Sequence, residues 1–373
     1  MQYDVCIITT IHKDFDNRIF FRQLESLVES GQKVCIVAPW DFSNRERNNY
    51  CFVDTTPYPV SRFARLNHAY KTYVEAKQVN AKVYIFHDPD FLLFGLLLKK
   101  LKKHVVFDCH ENIPEDILYG KPWIPKYLRK SISYLYKFFE NFIIKRLDNV
   151  ICVVPYQVKR FSTIADNVIM IRNFSKLTTQ NQYAASKSVL YIGSISEDYG
   201  SYLILDIARE IKTRKSNINI NIVDYFGHND KLRKEFLSAI RLESLNINIL
   251  DRVPSSLMGE ILSQGCIGIS PMLNTSNKKI AYPTKIFEYF SYNLAVIASD
   301  VGYTRHILKD GQLGVLITEN DIVQWVDAIE NLISDEKLRH QYTVKARTAL
   351  SEDYSWDLEK KELIKYVSAL IKR

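Results

Sequence analysis

Val5-Cys6-Ile7-Ile8-Thr9, a helical stripe of Ile19, Phe20, Leu24, Leu27 and Val28 that stops at Gly31, and then Val34-Cys35-Ile36-Val37-Ala38 decide the fold of this chain. A continuous β-branched run of five residues reads as a strand buried on both faces, which is the signature of a parallel sheet. Apolar residues at three- and four-residue steps read as an amphipathic helix, and a glycine after the last of them suits its C-terminal turn. Together these make a β-α-β unit. The same grammar continues through Val83-Tyr84-Ile85-Phe86, Val105-Val106-Phe107 and Val150-Ile151-Cys152-Val153-Val154.

It resumes further on with Val189-Leu190-Tyr191-Ile192, Ile218 to Val223, Ile247-Asn248-Ile249, Ile267-Gly268-Ile269, Ala295-Val296-Ile297-Ala298 and Val315-Leu316-Ile317. Between the two series, Ser175 to Ser188 is polar and aperiodic and reads as a linker. A chain of 373 residues exceeds one ordinary core. The expectation is α/β: two doubly wound Rossmann-like domains, residues 1–174 and 175–353, facing a cleft at the C-terminal ends of their strands. A last helical pattern, 354–373, carries Trp356, Leu358, Leu363, Tyr366 and Leu370 and needs a surface to cover.

Composition excludes several classes. Hydrophobic residues make up 47% and charged residues 25%. Asp4 interrupts the N-terminus, so no secretory signal is read there. The longest apolar run, Phe91 to Leu98, ends at Lys99, far short of the ~20 residues that a bilayer requires. The six cysteines are scattered and show no C-x-x-C pair, which points to buried thiols in a reducing cytoplasm rather than to zinc or disulfides.

The net charge of +8 is concentrated between Lys121 and Leu147, where Lys126, Arg129, Lys130, Lys137, Lys145 and Arg146 face one acid, Glu140. Leu128, Ile132, Leu135, Phe139 and Phe142 give this segment one helical stripe, flanked by Trp123, Tyr127, Tyr134, Tyr136 and Phe138. Such a surface suits an anionic membrane interface; its alternative is a core helix with a solvated basic face. No nucleic-acid-binding motif accompanies the charge.

Pro283-Thr284-Lys285-Ile286-Phe287-Glu288-Tyr289-Phe290 carries the chemistry. If Thr284 caps a helix, Lys285 and Glu288 share one face while Ile286, Phe287 and Phe290 take another. An ammonium beside a helix N-terminus stabilises phosphate charge, and a carboxylate accepts bonds from sugar or ribose hydroxyls. Without context such a pair is an ordinary surface pair.

Taken with the order of motifs, the whole chain resembles the retaining GT-B glycosyltransferases of the family-4 type from bacterial surface-polysaccharide synthesis. The resemblance rests on His12 to Arg18, on Phe86-His87-Asp88-Pro89-Asp90, on Phe107-Asp108-Cys109-His110-Glu111, on Tyr191-Ile192-Gly193, on Pro283 to Tyr289, and on the final tryptophan-bearing helix. It implies transfer of a sugar from a UDP- or GDP-linked donor to an acceptor hydroxyl with retention, without a metal or other cofactor. The acceptor implied is a lipid-linked glycan at the cytoplasmic face of the inner membrane, reached by peripheral attachment through the basic helix 121–147.

By the same resemblance Glu288 holds the donor ribose and Lys285 neutralises the diphosphate, with Gly193, Arg252 and Gly302 around the donor. His110 is the candidate for contact with the sugar or for proton transfer, oriented by Asp108 or Glu111. Asp16, Arg18, His87, Asp88 and Glu111 are assigned to the acceptor or the cleft loops. The chain departs from the family pattern at Ile280, where an acid orients the sugar, and at Ser194 and Tyr199, where a cation binds the phosphates. Tyr303 and His306 depart from it as well. Lys278, Lys279 or Arg252 are the residues available to compensate. A UDP-sugar epimerase on the same fold and a catalytically inactive binding subunit are the competing readings.

Overall fold

The computed structural model describes residues 2–12, 16–41, 50–58, 61–121, 123–175, 188–227, 229–253, 257–276 and 278–373, with the backbone alone at 62, 63 and 120. Most of the expected linker 175–188, and Phe15 of the His12–Arg18 motif, lie outside the described residues. The chain divides into two compact units, Met1–Asn173 with Trp356–Arg373, and Phe174–Ser355.

Among the described residues the first unit holds seven parallel strands: β1 (Tyr3–Ile8), β2 (Val34–Ala38), β3 (Tyr50–Asp54), β4 (Ala81–Phe86), β5 (His104–Cys109), β6 (Asn149–Cys152) and β7 (Asn167–Met170). They lie in the order β3-β2-β1-β4-β5-β6-β7. The chain therefore builds outward from β1 in one direction and then returns to build outward in the other. The reversal falls between β1 and β4, where Ile8 pairs with Phe86. In doubly wound sheets ligands collect at the strand ends of that reversal. Helices α1 (Arg62–Gln78), α2 (Leu92–Lys100) and α3 (Lys126–Leu147) and the C-terminal helix (Trp356–Ile371) cover this sheet.

The C-terminal helix is fastened by more than apolar burial. Trp356, Leu363, Val367 and Leu370 bury against Ile19, Phe20, Leu24 and Leu27, each worth about 1.5–3 kcal/mol relative to exposure. Trp356 Nε1 donates to Ser26 Oγ at 3.0 Å. Glu359 accepts from the Arg172 amide at 2.7 Å and from its Nε at 2.8 Å.

Among the described residues the second unit holds six parallel strands: β8 (Ser188–Tyr191), β9 (Asn219–Val223), β10 (Ile247–Leu250), β11 (Ile267–Ser270), β12 (Ala295–Ser299) and β13 (Val315–Ile317). Their order is β10-β9-β8-β11-β12-β13, so the reversal lies between β8 and β11. Helix α4 (Ser201–Thr213) follows β8, and the short α5 (Lys285–Ser291) precedes β12. Both units are thus α/β Rossmann-like sheets, as the alternation of strand and helix patterns predicts.

Two local expectations change. Thr284 has helical backbone angles (φ −62, ψ −23) and no side-chain cap bond, so α5 starts without the hydroxyl cap. The basic segment is helical only from Lys126, after Pro125, and its inward face is Ser133, Glu140, Ile143, Ile144 and Leu147. The stripe read from periodicity faces outward at Leu128, Leu135 and Phe142.

Candidate functional site

Two groups of side chains stand at the two sheet reversals. In the first unit the residues after β1, β4 and β5 meet: Thr10 and His12, His87 and Asp88, and Asp108 and His110. Asp108, at the end of β5, is fully buried, and Arg18 is 3% exposed. The guanidinium clasps the carboxylate with Nε at 3.0 Å from Oδ2 and Nη2 at 2.9 Å from Oδ1, and Gln23 donates a further bond to Oδ2. Burial pushes Asp108 up, but the Arg18 guanidinium and two histidines outweigh it and hold the carboxyl down to about 2.

His110 hangs from the carbonyl of that same aspartate. Its Nδ1 donates to the Asp108 carbonyl oxygen at 3.3 Å. A carbonyl only accepts, so Nδ1 carries the proton and Nε2 of the neutral ring is the acceptor. His12 Nε2, 3.0 Å away, is then the donor to it. His12 Nδ1 lies 3.8 Å from Asp88 Oδ1. Asp88 is itself fixed by the Thr10 amide at 2.5 Å. The result is a carboxylate, His12 and His110 in line, ending on the one ring of the three that is 19% exposed at its side chain.

The other expected residues of this unit take structural places. Arg18, expected to shape an open loop, is sealed in the Asp108 ion pair. Asp16 accepts from the Arg18 and Ile19 amides at 2.8 and 3.1 Å and so caps the helical segment that begins at Ile19. His87 is buried, and both ring nitrogens lack a hydrogen-bond partner. Burial pushes it down to about 3 against the pull of Asp108, which keeps it neutral and outside acid–base work at ordinary pH. Glu111 contributes its carbonyl, which accepts from Gln157 Nε2 at 3.2 Å.

His12 and Gln23 were not among the expected site residues, and Asp108 was expected only as a carboxylate orienting His110. The signal for His12 was available, since it follows a strand end as His110 does.

His87, Asp108 and His110 bring three metal-ligand atoms within 4.8 Å of one another. The donor set does not suit a cation, because Asp108 already spends both oxygens on a guanidinium and an amide, and a metal would sit against the Arg18 charge.

In the second unit the positions are set by Tyr289. Its hydroxyl donates to the Ile269 carbonyl at 3.0 Å and accepts from the Ile192 amide at 3.1 Å, tying α5 beneath the ends of β8 and β11. Ile286, Phe287 and Phe290 bury on the same helix, so Lys285 and Glu288 are left on its other side, as the spacing predicts.

The Lys285 ammonium is sealed from solvent and has no hydrogen-bond partner. Its nitrogen lies 3.9 Å from the Tyr191 ring centroid. The backbone of Gly193 passes beside it: at φ +99, a Cβ there would stand 3.4 Å from Lys285 Cε and 3.5 Å from Nζ. Burial lowers Lys285 to about 7; the Lys278 ammonium lowers it too, while Glu288 opposes them. Ser270 Oγ and Ser299 Oγ, at the ends of β11 and β12, are also buried without a partner. A buried cation with no hydrogen-bond partner, beside a glycine turn at a strand end, is an arrangement that an anion would satisfy.

Gly302 belongs to the same neighbourhood, close against the Lys278 and Ala281 carbonyls. Arg252 is exposed and stacks on the Tyr225 ring at 4.6 Å, and the Tyr225 carbonyl in turn accepts from the Ile195 amide, two residues past Gly193, at 3.0 Å.

Two family models match the chain in succession, one described as Glycosyltransferase Family 4 over residues 17–174 and one as Glycosyl transferases group 1 over residues 176–349. A phosphatidyl-myo-inositol mannosyltransferase of Mycobacterium leprae is 22% identical over 198 residues, which are 52% of this chain and 50% of that protein. The match therefore spans about half the length of that relative. Among solved structures, sucrose-phosphate synthase from Thermosynechococcus elongatus superposes with a TM-score of 0.75 at 13% identity, covering 99% of each chain. HepE of Anabaena in complex with UDP-glucose superposes with a TM-score of 0.74 at 14% identity, covering 98% of this chain and 100% of that one. At such identities these structures speak for the fold.

Proposed function

We propose that this chain, which belongs to the GT-B glycosyltransferases of the family-4 type, moves a sugar from a nucleotide-sugar donor to an acceptor hydroxyl with retention, the donor sitting in the second unit and the acceptor in the first. The observation that carries the reading is the Lys285 ammonium, buried without a partner beside the glycine turn of β8. As the sugar–phosphate bond breaks, charge grows on the departing nucleoside diphosphate while the sugar becomes oxocarbenium-like. A preorganised cation at the phosphates lowers that barrier without reorganisation. Glu288 serves the ribose of the donor, and His110, held by Asp108 and His12, contacts the sugar or the acceptor. The donor set at the phosphates is cationic, so the transfer is proposed to proceed without a metal or other cofactor.

Calorimetric titration of UDP and of GDP in EDTA tests the donor site. One of the two is expected to bind, and Glu288→Ala is expected to weaken it about 10- to 100-fold, the loss of one or two hydrogen bonds to a charged acceptor. Formation of a glycosidic product from the matching sugar nucleotide separates transferase from epimerase, whose product is an altered free donor. Binding of neither nucleotide would bring the binding-subunit reading forward.

The acceptor is proposed to be a lipid-linked glycan at the cytoplasmic face of the inner membrane, in polysaccharide or O-antigen assembly. Support comes from α3, whose outward side carries Tyr127, Tyr134 and Phe138 at 82%, 71% and 66% exposure, interleaved with exposed Lys126, Lys130, Lys137, Lys145 and Arg146. Leu93, Leu97 and Leu101 on and beside the adjacent α2 are exposed as well. No helix among the described residues is long and apolar enough to cross a membrane, so the attachment proposed is peripheral.

At about 1 kcal/mol per lysine near an anionic surface, Lys130→Ala with Lys137→Ala is expected to weaken binding to phosphatidylcholine–phosphatidylglycerol vesicles about 30-fold. Unchanged vesicle binding would remove the membrane part and leave the transferase.

A further inference from the structure

The same tyrosine ring serves two cations. Tyr199 ends the short turn Glu197–Tyr199 that leads into α4. The Lys278 ammonium stands 3.6 Å from the centroid of its ring and the Lys285 ammonium 5.3 Å from it. Lys285 rests at the same time on Tyr191, whose hydroxyl is already committed to the Ser194 carbonyl at 2.6 Å, so the ring face is what it offers. Two like charges have thus been brought to one aromatic shelf.

Backbone contacts show that this is a built arrangement. The Leu273 amide donates to the Asp198 carbonyl at 3.0 Å, which ties the loop bearing Lys278 to the turn bearing Tyr199. Lys278 itself sits in a turn closed by its amide on the Thr275 carbonyl at 2.9 Å and by the Ala281 amide on its own carbonyl at 2.9 Å. Gly302 packs flush against that turn: a Cβ on it would lie 2.6 Å from the Ala281 oxygen and 2.7 Å from the Lys278 oxygen. The two ammonium groups repel one another, that of Lys285 being sealed from solvent, and π faces compensate a cation less fully than an anion does. A ligand with two adjacent anionic groups answers both cations; a ligand with one answers half of the arrangement.

We propose that Lys278 is the second phosphate cation of the donor site, that with Lys285 it grips the two phosphates of a nucleoside diphosphate, and that Tyr199 is the shelf that positions both. The assignment rests on the second unit being the nucleotide-sugar unit. It makes Tyr199, which reads in the sequence as the loss of a cation, the residue that supports a cation from another loop.

The experiment is calorimetry of the wild type, Lys278→Ala, Lys278→Arg, Lys279→Ala and Tyr199→Leu, with UDP against UMP or GDP against GMP, and with thermal melts to confirm folding. Lys278→Ala is expected to weaken the diphosphate at least about tenfold and the monophosphate less than about twofold, the loss of one charge-assisted contact at a single phosphate. Arginine is expected to restore the diphosphate, and the exposed neighbour Lys279→Ala to change neither. Tyr199→Leu is expected to narrow the gap between di- and monophosphate. Equal weakening of both nucleotides by Lys278→Ala, or none, would overturn the assignment while leaving the donor site in place. A wild type that binds neither nucleotide would overturn the donor-site reading and the assignment together.

Discussion

Arg18→Met is expected to destabilise the protein by about 3–5 kcal/mol at pH 7, the usual consequence of removing one partner from a buried ion pair. The guanidinium makes three contacts with Asp108, at 2.9, 3.0 and 3.3 Å, and both groups are sealed from solvent. Methionine fills much of the volume but leaves a carboxylate in an apolar interior with Gln23 and a neutral His87 for company.

The pH dependence identifies the cause. In the wild type burial raises the Asp108 pKa, and the cation beside it wins and holds it at about 2, below the unfolded value near 3.9. Its contribution is therefore present above about pH 4 and is lost as the pH falls through 2. In the variant burial acts unopposed by the guanidinium, and the folded carboxyl holds its proton well above pH 4. The gap between wild type and variant should then be widest near neutrality and narrow toward pH 4, read from urea unfolding at each pH. A gap that stays constant would mean that lost packing, rather than an orphaned charge, explains the cost. Asp108→Asn placed on Arg18→Met should recover a large part of the stability, because it removes the charge that was stranded. Activity should not recover with it, since the double variant still lacks the Asp108 carboxylate, whose Oδ1 lies 4.0 Å from His110 Nδ1.

The Arg18–Asp108 pair also marks what the amino-acid order could reveal. Each strand announces itself by an unbroken β-branched run, because a parallel strand buried on both faces has no polar side to interrupt it. The residues that follow such runs, His12, His87, His110 and Gly193, were legible for the same reason: they stand where strands end. Partnership across 90 residues was not legible. Nothing in the local pattern at Arg18 distinguishes a guanidinium that closes on Asp108 from one that faces a loop.

The outward stripe of α3 was legible as a stripe, while its spacing left open whether it faced a membrane surface or the core. Its buried face includes Ser133, bonded to the Pro114 carbonyl at 2.8 Å, and Glu140, paired with Arg160 at 2.5 Å. A face that buries polar groups by pairing them looks solvated in sequence, so periodicity alone does not choose the core side. Tyr199 shows the same limit in the donor unit: spacing identifies a missing cation, whereas the supply of one from Lys278 depends on how two loops are tied together.

Lys285→Met is expected to do two opposite things: abolish measurable binding of the nucleotide, a loss of at least about a hundredfold, and raise the thermal stability of the empty protein. The second effect follows from the first role. Burial holds Lys285 at about 7, with Lys278 adding to the depression and Glu288 resisting it, against about 10.4 in the unfolded chain. Between those values the unfolded chain binds the extra proton, so the wild type gains stability as the pH rises from 7 toward 10, and below 7 it carries the full cost of a sealed ammonium. Methionine removes that cost. At pH 7 the variant is expected to be more stable by about 2 kcal/mol, a figure well under the full shift because the tyrosine faces soften the burial. The advantage should vanish near pH 10.

Nucleotide binding reports the same proton from the other side. A diphosphate raises the pKa of the ammonium it contacts, so the wild-type affinity should be flat below pH 7 and fall by up to about tenfold per unit from 7.5 to 9.5, with uptake of nearly one proton at pH 8. Titrations in buffers of different ionisation enthalpy measure that uptake directly. If Lys285→Met melts below the wild type at pH 7, the ammonium is contributing to the fold. If the affinity does not change with pH above 7, the lysine is already charged in the empty site. Either result would mean that the arrangement of Lys285, Tyr191 and Gly193 is not strain held ready for an anion, and the cation that answers the phosphates would have to be sought elsewhere among the loops that follow β8 and β11.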